Sequence, residues 1–339
     1  MNESSSSTPR LPVKASSNFL TISFDEKTST KDIFNCDGVF DGKAGAGVVP
    51  QAYIQPPAEQ IDKNNATKCD IPPTDLSRLD GPDHDEVVNQ IVRAAETLGF
   101  FQVINHGVPV ELLDSLKQTA HNFFALPAER KAVYRKEVSP SPLVKYGTSF
   151  VPEKEKALEW KDYISMAYTN DAEAMQQWPV ECADDALQYL KTSHEMVRKL
   201  LDALMGNLGV ELDDSKIDAF IGKEDDGIGG LYVRVPENVD MEKKGEWVEI
   251  PPIPGALVIN VGDMLQIWSN GRYKSAEHRV RTTSTKSRVS IPIFASPEAT
   301  QKIAPLPQVV KKDGVARYTE FLFSDYMNNF FGNVHDGKK

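Results

Sequence analysis

Residues 273–294 of this chain read YKSAEHRVRTTSTKSRVSIPIF, and both halves of this stretch alternate with the two-residue period of a β-strand. In the first half, His278 falls on the same face as Ala276 and Val280, which directs its ring toward the apolar side. In the second half, Arg288 and Ser290 share one face. The opposite face carries apolar side chains suited to a core: Val289, Ile291 and Ile293.

Further short segments with the same period precede this stretch, and turn residues separate them. They span residues 231–235, 247–250 and 256–261. Short strands punctuated by Gly255, Gly262-Asp263 and Asn270-Gly271 favour an antiparallel sandwich or jelly roll over a parallel sheet. The predicted fold class is therefore α+β, with a jelly-roll (double-stranded β-helix) core and flanking helices.

Helical periodicity dominates the region before these strands. Apolar residues recur every three to four positions over 85–98, 110–126 and 184–207, and residues 100–104 predict a buried strand. A last helix is expected over residues 318–331. We divide the chain into four parts: an irregular N-terminal arm 1–67, a helical region 68–222, a strand-rich region 223–297 that would bind cofactor, and a C-terminal helical segment 298–339.

The composition is that of an acidic globular protein. Of 339 residues, 40% are hydrophobic and 26% are charged, which is enough apolar material for a substantial core. The net charge of −11 argues against nucleic acid as a partner. Neither a membrane-spanning run nor a secretory signal is visible, so we expect a cytoplasmic protein with no membrane partner. The odd, widely spaced Cys36, Cys69 and Cys182 are predicted to be reduced thiols.

Arg288 directed into a sheet-lined cavity needs an anion. A guanidinium binds a carboxylate bidentately, and the Ser290 hydroxyl two residues later adds a donor, so the pair suits one end of a dicarboxylate. More ordinary interpretations stay open at this point. Arg288 could lie at the surface beside a buried strand face, and His278 could be a hydrogen-bonded core histidine.

His278 followed by Arg288-x-Ser290 resembles the metal-binding histidine and the 2-oxoglutarate-anchoring pair of the plant iron(II)- and 2-oxoglutarate-dependent oxygenases. Residues 99–108, GFFQVINHGV, resemble the N-terminal signature of that family. The resemblance covers most of residues 70–339 and extends in particular to the feruloyl-CoA ortho-hydroxylases. Four segments carry this second resemblance: YGTSF (146–150), LEWKDY (158–163), NGRYKS (270–275) and HDGKK (335–339).

This resemblance implies a set of ligands and a reaction. Fe(II) would be held by His278 together with a second histidine and a carboxylate, 2-oxoglutarate would be bound by Arg288 and Ser290, and ascorbate would assist. The implied reaction is ortho-hydroxylation of a hydroxycinnamoyl-CoA, a small phenylpropanoid thioester, in the synthesis of coumarins such as scopoletin. No residue is identified as catalytic.

The family pattern also requires a His-x-Asp pair and an Asn-Tyr-Tyr segment upstream of His278, and the chain has neither. None of its six histidines is followed two residues later by aspartate. The one His-x-carboxylate, His84-Asp85-Glu86, lies at a predicted helix start, where acidic residues suit the helix dipole. The deficit maps between Gly222 and Gly227. We therefore expect a core that lacks two to three strands and exposes the backbone edges of their neighbours.

A single histidine cannot provide the three-ligand face that this iron chemistry needs. Three interpretations follow. In the first, the chain is an inactive family member whose sequence comes from a splice form or an incomplete gene model. In the second, it is a non-catalytic interaction or regulatory protein derived from the family. In the third interpretation it is an active enzyme that recruits unusual ligands such as Asp225 or Asp226.

Overall fold

The computed structural model describes residues 15–25, 51–57, 60–61, 66–148, 157–159, 161–211, 221–225, 229–237, 239, 244–281 and 288–332. Within these ranges the chain forms three layers: helices, a large sheet and a smaller sheet. The predicted α+β class is confirmed.

The helices form where the sequence repeats apolar residues at helical spacing. In α1, Val87, Ile91 and Ala95 are buried along one face, and the helix ends where Gly99 takes a left-handed conformation and donates to the Ala94 carbonyl oxygen at 2.9 Å. The helices are α1 His84–Thr97, α2 Val110–Phe124, α3 Ala128–Ala132, α4 Asp171–Gln177, α5 Ala183–Asn207, α6 Asp263–Trp268, α7 Pro307–Asp313 and α8 Phe323–Gly332. The helices predicted over 85–98, 110–126 and 184–207 are confirmed as α1, α2 and α5.

Fourteen strands lie within the described residues. They are β1 Ala15–Asp25, β2 Thr67–Lys68, β3 Thr74–Asp75, β4 Phe100–Ile104, β5 Val144–Thr148, β6 Asp162–Tyr168, β7 Ile221–Asp225, β8 Leu231–Arg234, β9 Trp247–Ile250, β10 Leu257–Asn260, β11 His278–Val280, β12 Arg288–Pro297, β13 Lys302–Ile303 and β14 Phe321–Leu322. The large sheet has the order β3-β4-β10-β7-β12-β1-β6-β5, and the smaller sheet has the order β11-β8-β9-β2.

Two hydrophobic clusters hold the layers together. One face of the large sheet packs against the helices through residues such as Ile259 of β10 and Ile291 of β12. The other face packs against the smaller sheet, where Phe100 and Val258 meet Val233. The period-two alternation thus places successive residues of β4 and β10 in different clusters.

The structure corrects two expectations about the large sheet. The arm 1–67 was predicted to be irregular, but β1 is an 11-residue strand that pairs with both β12 and β6. The junction around Gly222 was predicted to leave open edges, but β7 pairs with both β10 and β12. The sheet is therefore continuous where the missing strands were expected to leave a gap. Sequence periodicity cannot reveal which strands pair when the partners are distant in the chain. The short alternation of Leu20, Ile22 and Phe24 in β1 was not predicted to be a strand.

Several local predictions also differ from the structure. The strand predicted over 273–282 is present only as β11. Before it, Lys274 N donates to Ala95 O and Ser275 N donates to Gln266 Oε1, both at 2.8 Å, so these amides bond to helices instead of a strand. The turn predicted at Gly262-Asp263 is the start of α6. Within the helix predicted over 184–207, His194 is exposed and is not part of the buried face of α5.

Two further sequence predictions concern membranes and cysteines. No helix in the described part of the chain combines the length and apolar composition needed to cross a bilayer. Neither of the two described cysteines, Cys69 and Cys182, forms a disulfide, and Cys36 lies outside the described residues. Burial raises the pKa of the Cys182 thiol to about 12, which keeps it protonated and unreactive.

Candidate functional site

The strand β12 places Arg288 and Ser290 side by side on one face of the large sheet. Both side chains are buried, with 1% and 5% of their surface exposed. The alternate residues Val289 and Ile291 belong to the cluster formed with the helices. The strand alternation thus turns Arg288 and Ser290 away from the helices, as the sequence indicates.

Arg288 is fixed by a backbone contact at the start of β8. Its Nε donates to the carbonyl oxygen of Gly229 at 3.1 Å. The next residue, Gly230, has φ +89°, and a Cβ there would lie 2.6 Å from the carbonyl oxygen of Arg281, so only glycine fits. Gly230 in turn accepts a 2.8 Å bond from the Arg281 amide. Through these contacts, the Gly229-Gly230 segment connects β12 to the smaller sheet. This role of Gly229-Gly230 was not predicted from the sequence, although a glycine pair before a strand is a signal of close backbone approach.

His278 lies on β11 of the smaller sheet, whereas Arg288 and Ser290 lie on β12 of the large sheet. It is opposite Val233 in the register of β11 and β8, and its ring centroid is 5.1 Å from that of Phe100. Its side chain is exposed, although the Ala276 and Phe100 side chains beside it are buried. The ring therefore meets the apolar cluster at its rim.

Both halves of the predicted site are anchored on β8, at different points. Arg288 contacts Gly229 just before the strand, and His278 pairs with Val233 near its end. Four residues of an extended strand span about 13 Å. The two contact points are therefore separated along β8 by about this distance.

The described residues contain no cluster of three histidine, cysteine, aspartate or glutamate side chains able to hold a metal ion. His84 has its Nδ1 2.7 Å from Leu79 O, and Glu86 pairs with Arg78, so this triplet stabilises the start of α1. Asp225 occupies the register position opposite Ser290, and Asp226 lies outside the described residues. These residues do not fit the facial iron site of two histidines and a carboxylate.

Another histidine of the N-terminal signature is part of the structural framework. His106 is buried, its Nε2 lies 2.9 Å from Gly255 O, and its Nδ1 accepts from the Val108 amide at 3.2 Å. Burial lowers the pKa of His106, while the hydrogen bond to Gly255 partly opposes this shift. His106 therefore ties the loop after β4 to the turn before β10 as a neutral side chain.

Comparisons with known proteins assign both halves of the chain to related families. Residues 71–181 match the N-terminal region of the non-haem dioxygenases in morphine synthesis. Residues 214–297 match the 2OG-Fe(II) oxygenase superfamily. The match to the second family includes β8, β11 and the pair Arg288 and Ser290.

Similar curated proteins are plant hydroxylases. Scopoletin 8-hydroxylase of Arabidopsis thaliana is 53% identical, over 94% of this chain and 97% of that protein. Feruloyl CoA ortho-hydroxylase 1 of Arabidopsis thaliana is 40% identical, over 94% and 97%. A bi-functional coumaroyl CoA and feruloyl CoA ortho-hydroxylase of Ipomoea batatas is 42% identical, over 87% and 89%.

The alignment with scopoletin 8-hydroxylase also shows that this chain is shorter than that relative within the aligned region. It extends over 359 aligned positions, but 94% of the 339-residue chain is only about 319 residues. About 40 positions, the difference between 359 and 319, thus have no counterpart in this chain. A missing internal segment is consistent with the break that the sequence indicates after Gly222.

Two solved structures share the architecture. The crystal structure of JOX2 in complex with 2OG, Fe and JA has a TM-score of 0.66 and 27% identity, over 88% of this chain and 93% of that one. The rice dioxygenase for auxin oxidation has a TM-score of 0.61 and 23% identity, over 78% and 97%. These neighbours have jelly-roll cores, so the predicted jelly-roll class is confirmed.

Proposed function

The chain belongs to the 2-oxoglutarate- and iron(II)-dependent oxygenase superfamily, and from that premise we propose that it binds 2-oxoglutarate but does not complete the hydroxylation. One observation carries this proposal: the chain keeps Arg288-x-Ser290 and His278, whereas none of its six histidines begins a His-x-Asp pair. The enzyme class comes from the family, and the lack of turnover is specific to this sequence.

The cosubstrate would bind through its distal carboxylate. The guanidinium of Arg288 is held in place by Gly229, and the Ser290 hydroxyl is on the same face two residues along β12. A buried guanidinium binds a carboxylate strongly because water does not compete for its donors. A dicarboxylate is therefore the ligand class that this part of the site favours.

The residues that the structure describes do not support iron binding. In oxygenases of this family the 2-oxo acid end of the cosubstrate chelates the metal, which three protein side chains hold. The described residues supply His278 and no three-residue cluster around it. We therefore assign neither iron nor ascorbate a role in this chain.

The similar proteins favour a phenylpropanoid of coumarin synthesis as the substrate class of the group from which this chain descends. Similar proteins are named for scopoletin and for feruloyl-CoA, and the identity of 53% to the former exceeds the 40% to 42% to the latter. This favours a coumarin ring over the hydroxycinnamoyl-CoA that the sequence motifs indicate.

The test compares 2-oxoglutarate with glutarate, which lacks the 2-oxo group, by anaerobic titration calorimetry of the purified chain. If only the carboxylate end is recognised, the two ligands bind with similar affinity, and adding Fe(II) tightens neither. An intact site would instead bind 2-oxoglutarate more tightly when Fe(II) is present, and this result would contradict the proposal. Absence of binding by both ligands would also contradict it.

Matched arginine variants test the residue assignment. Arg288→Gln should weaken binding of both ligands on the order of 10- to 100-fold, because a hydrogen bond to a charged group contributes about 1.5–3 kcal/mol. Arg234→Gln is the control, since Arg234 lies on β8 with its side chain half exposed and pairs with Glu277 at 3.4 Å. Equal loss in both variants would show that Arg288 does not contact the ligand.

A further inference from the structure

The strand β1 completes the large sheet from both sides, although it belongs to a part of the chain far from its partners. Leu20 lies opposite Ile293 of β12 on one side and opposite Met166 of β6 on the other. Pairing with β6 is continuous over Asn18 to Phe24. Because β1 stands between β12 and β6, the sheet would divide there without it: five strands from β3 to β12 would separate from the pair β6-β5.

The two strands that flank β1, namely β12 and β6, are each held in place by contacts with the rest of the fold. Ile291 and Ile293 anchor β12 in the helical cluster. On β6, Ile164 is buried in the same cluster, and the Ala167 carbonyl oxygen accepts a 3.1 Å bond from Trp178 Nε1. Two strands so fixed would present unpaired backbone donors and acceptors toward each other if β1 left, and such edges bind extended segments.

We propose that the space between β12 and β6 is a strand-binding slot and that its occupant is residues 15–25 of the same molecule. The linker 26–50 between β1 and the next described residue has 25 residues. An extended chain of that length reaches about 80 Å, so the segment can enter the slot of its own molecule. The slot offers backbone hydrogen bonds on both sides, as in strand addition to a sheet edge.

Insertion of β1 into the slot also affects β12, the strand that carries Arg288 and Ser290. Ser23 lies opposite Ser290 and Asp25 lies opposite Arg288 in the register of β1 and β12. The strand that carries the two proposed ligand-binding residues is thus paired on this edge only while β1 is inserted. The strand-slot proposal does not depend on which ligand the site binds.

Disulfide trapping in the full-length chain tests both the slot and its occupant. Thr21 is opposite Ser165 of β6, and Ser165 is opposite Lys145 of β5. Opposite residues of antiparallel strands have Cα atoms about 4.5–5.5 Å apart, within disulfide range, whereas Thr21 and Lys145 are two strands apart, about 10 Å. Thr21→Cys with Ser165→Cys should therefore oxidise to a cross-linked monomer. Thr21→Cys with Lys145→Cys is the matched control and should not.

Peptide mapping by mass spectrometry separates the new linkage from any formed by the native cysteines. A linkage between two chains would show that the occupant comes from a second copy, and this would overturn the proposal. Absence of the 21–165 linkage, or equal cross-linking in the control, would overturn the slot itself.

Hydrogen exchange in the full-length chain gives an independent test. Thr21→Pro removes a backbone donor from the middle of β1 and should speed amide exchange in β6 and in the Val289–Ile293 part of β12 by about tenfold or more. Ser7→Pro, before the strand, is the control and should leave both strands protected. Unchanged exchange in the Thr21→Pro variant would contradict the proposal.

Discussion

Arg288 and Gly229 are joined by a hydrogen bond in which the guanidinium Nε donates to the backbone carbonyl oxygen at 3.1 Å. This contact links β12 of the large sheet to the start of β8 in the smaller sheet. It fixes a buried arginine in the part of the structure that matches the oxygenase superfamily. The side chain is thus oriented before any ligand binds, which reduces the entropy lost on binding.

Ligand-linked stability should depend on Arg288. A ligand that binds only the folded state at 100 times its Kd raises the free energy of unfolding by about 2.7 kcal/mol. We expect saturating 2-oxoglutarate to raise the melting temperature of the unaltered chain and of the Arg234→Gln variant, but not that of Arg288→Gln. Differential scanning fluorimetry measures this. A similar ligand-induced increase in Arg288→Gln would show that the carboxylate binds elsewhere.

Two glycines of the N-terminal signature should respond differently to alanine. Both have positive φ, +70° at Gly99 and +86° at Gly107. A Cβ at Gly99 would lie 1.9 Å from the backbone oxygen of Lys274, whereas a Cβ at Gly107 meets nothing within 4 Å. Gly107→Ala should cost only the left-handed conformation, about 1–2 kcal/mol.

Gly99→Ala adds a backbone clash to the same conformational cost, so its total should exceed about 4 kcal/mol or prevent folding. Urea unfolding of both variants measures the difference. Equal losses in the two variants would show that α1 and the segment after α6 are not in this close contact.

His106 should make stability depend on pH. Burial lowers its pKa below the ordinary 6.5, so the unfolded chain binds a proton more readily than the folded one. The contribution of neutral His106 to the free energy of unfolding is therefore intact above about pH 6.5. It is lost as the pH falls toward the pKa of the folded state, and the free energy of unfolding then changes by at most about 1.4 kcal/mol per pH unit.

The variant His106→Gln should remove this part of the pH dependence of the free energy of unfolding. His121→Gln, at an exposed position of α2, is the control and should retain it. Denaturation between about pH 7.5 and pH 5 measures the slopes. If both variants keep the slope of the unaltered chain, His106 does not titrate as its burial indicates.

Tyr273 should stabilise the C-terminal end of α5 through its hydroxyl. Burial raises its pKa to about 12, and the protonated hydroxyl donates to Leu204 O at 2.6 Å and accepts from Asn207 at 3.2 Å. Tyr273→Phe should cost about 1–2 kcal/mol, because it removes the hydroxyl and keeps the ring. Tyr273→Leu should cost roughly 1–3 kcal/mol more by also removing ring packing. A neutral Tyr273→Phe variant in urea unfolding would contradict this account.

The sequence predicted the elements whose stabilising contacts follow a local period. The three-to-four spacing of Val87, Ile91 and Ala95 predicts α1, and alternation predicts that Arg288 and Ser290 turn away from the helical core. The shared face of Arg288 and Ser290 was predictable from sequence because one strand carries both residues.

The sequence did not predict contacts between residues far apart in the chain. Both β1 and β7 are stabilised by distant partners on two sides. In β1 the apolar residues Leu20, Ile22 and Phe24 do alternate with polar ones, but this signal is short and was not predicted to be a strand. The length of β11 was overestimated for a related reason. The amides of Lys274 and Ser275 bond to helical partners, and sequence alternation does not reveal such partners. His278 consequently lies at an exposed rim instead of inside the sheet.

The most direct measurement of the central claim is the succinate formed when the purified chain is supplied with Fe(II), 2-oxoglutarate, O2 and scopoletin or feruloyl-CoA. We expect no succinate above that of a His278→Ala control from the chain as it stands. A chimera that receives, between Gly222 and Gly227, the corresponding segment of the scopoletin 8-hydroxylase of Arabidopsis thaliana should form succinate. Turnover by the unaltered chain that depends on His278 would contradict the account.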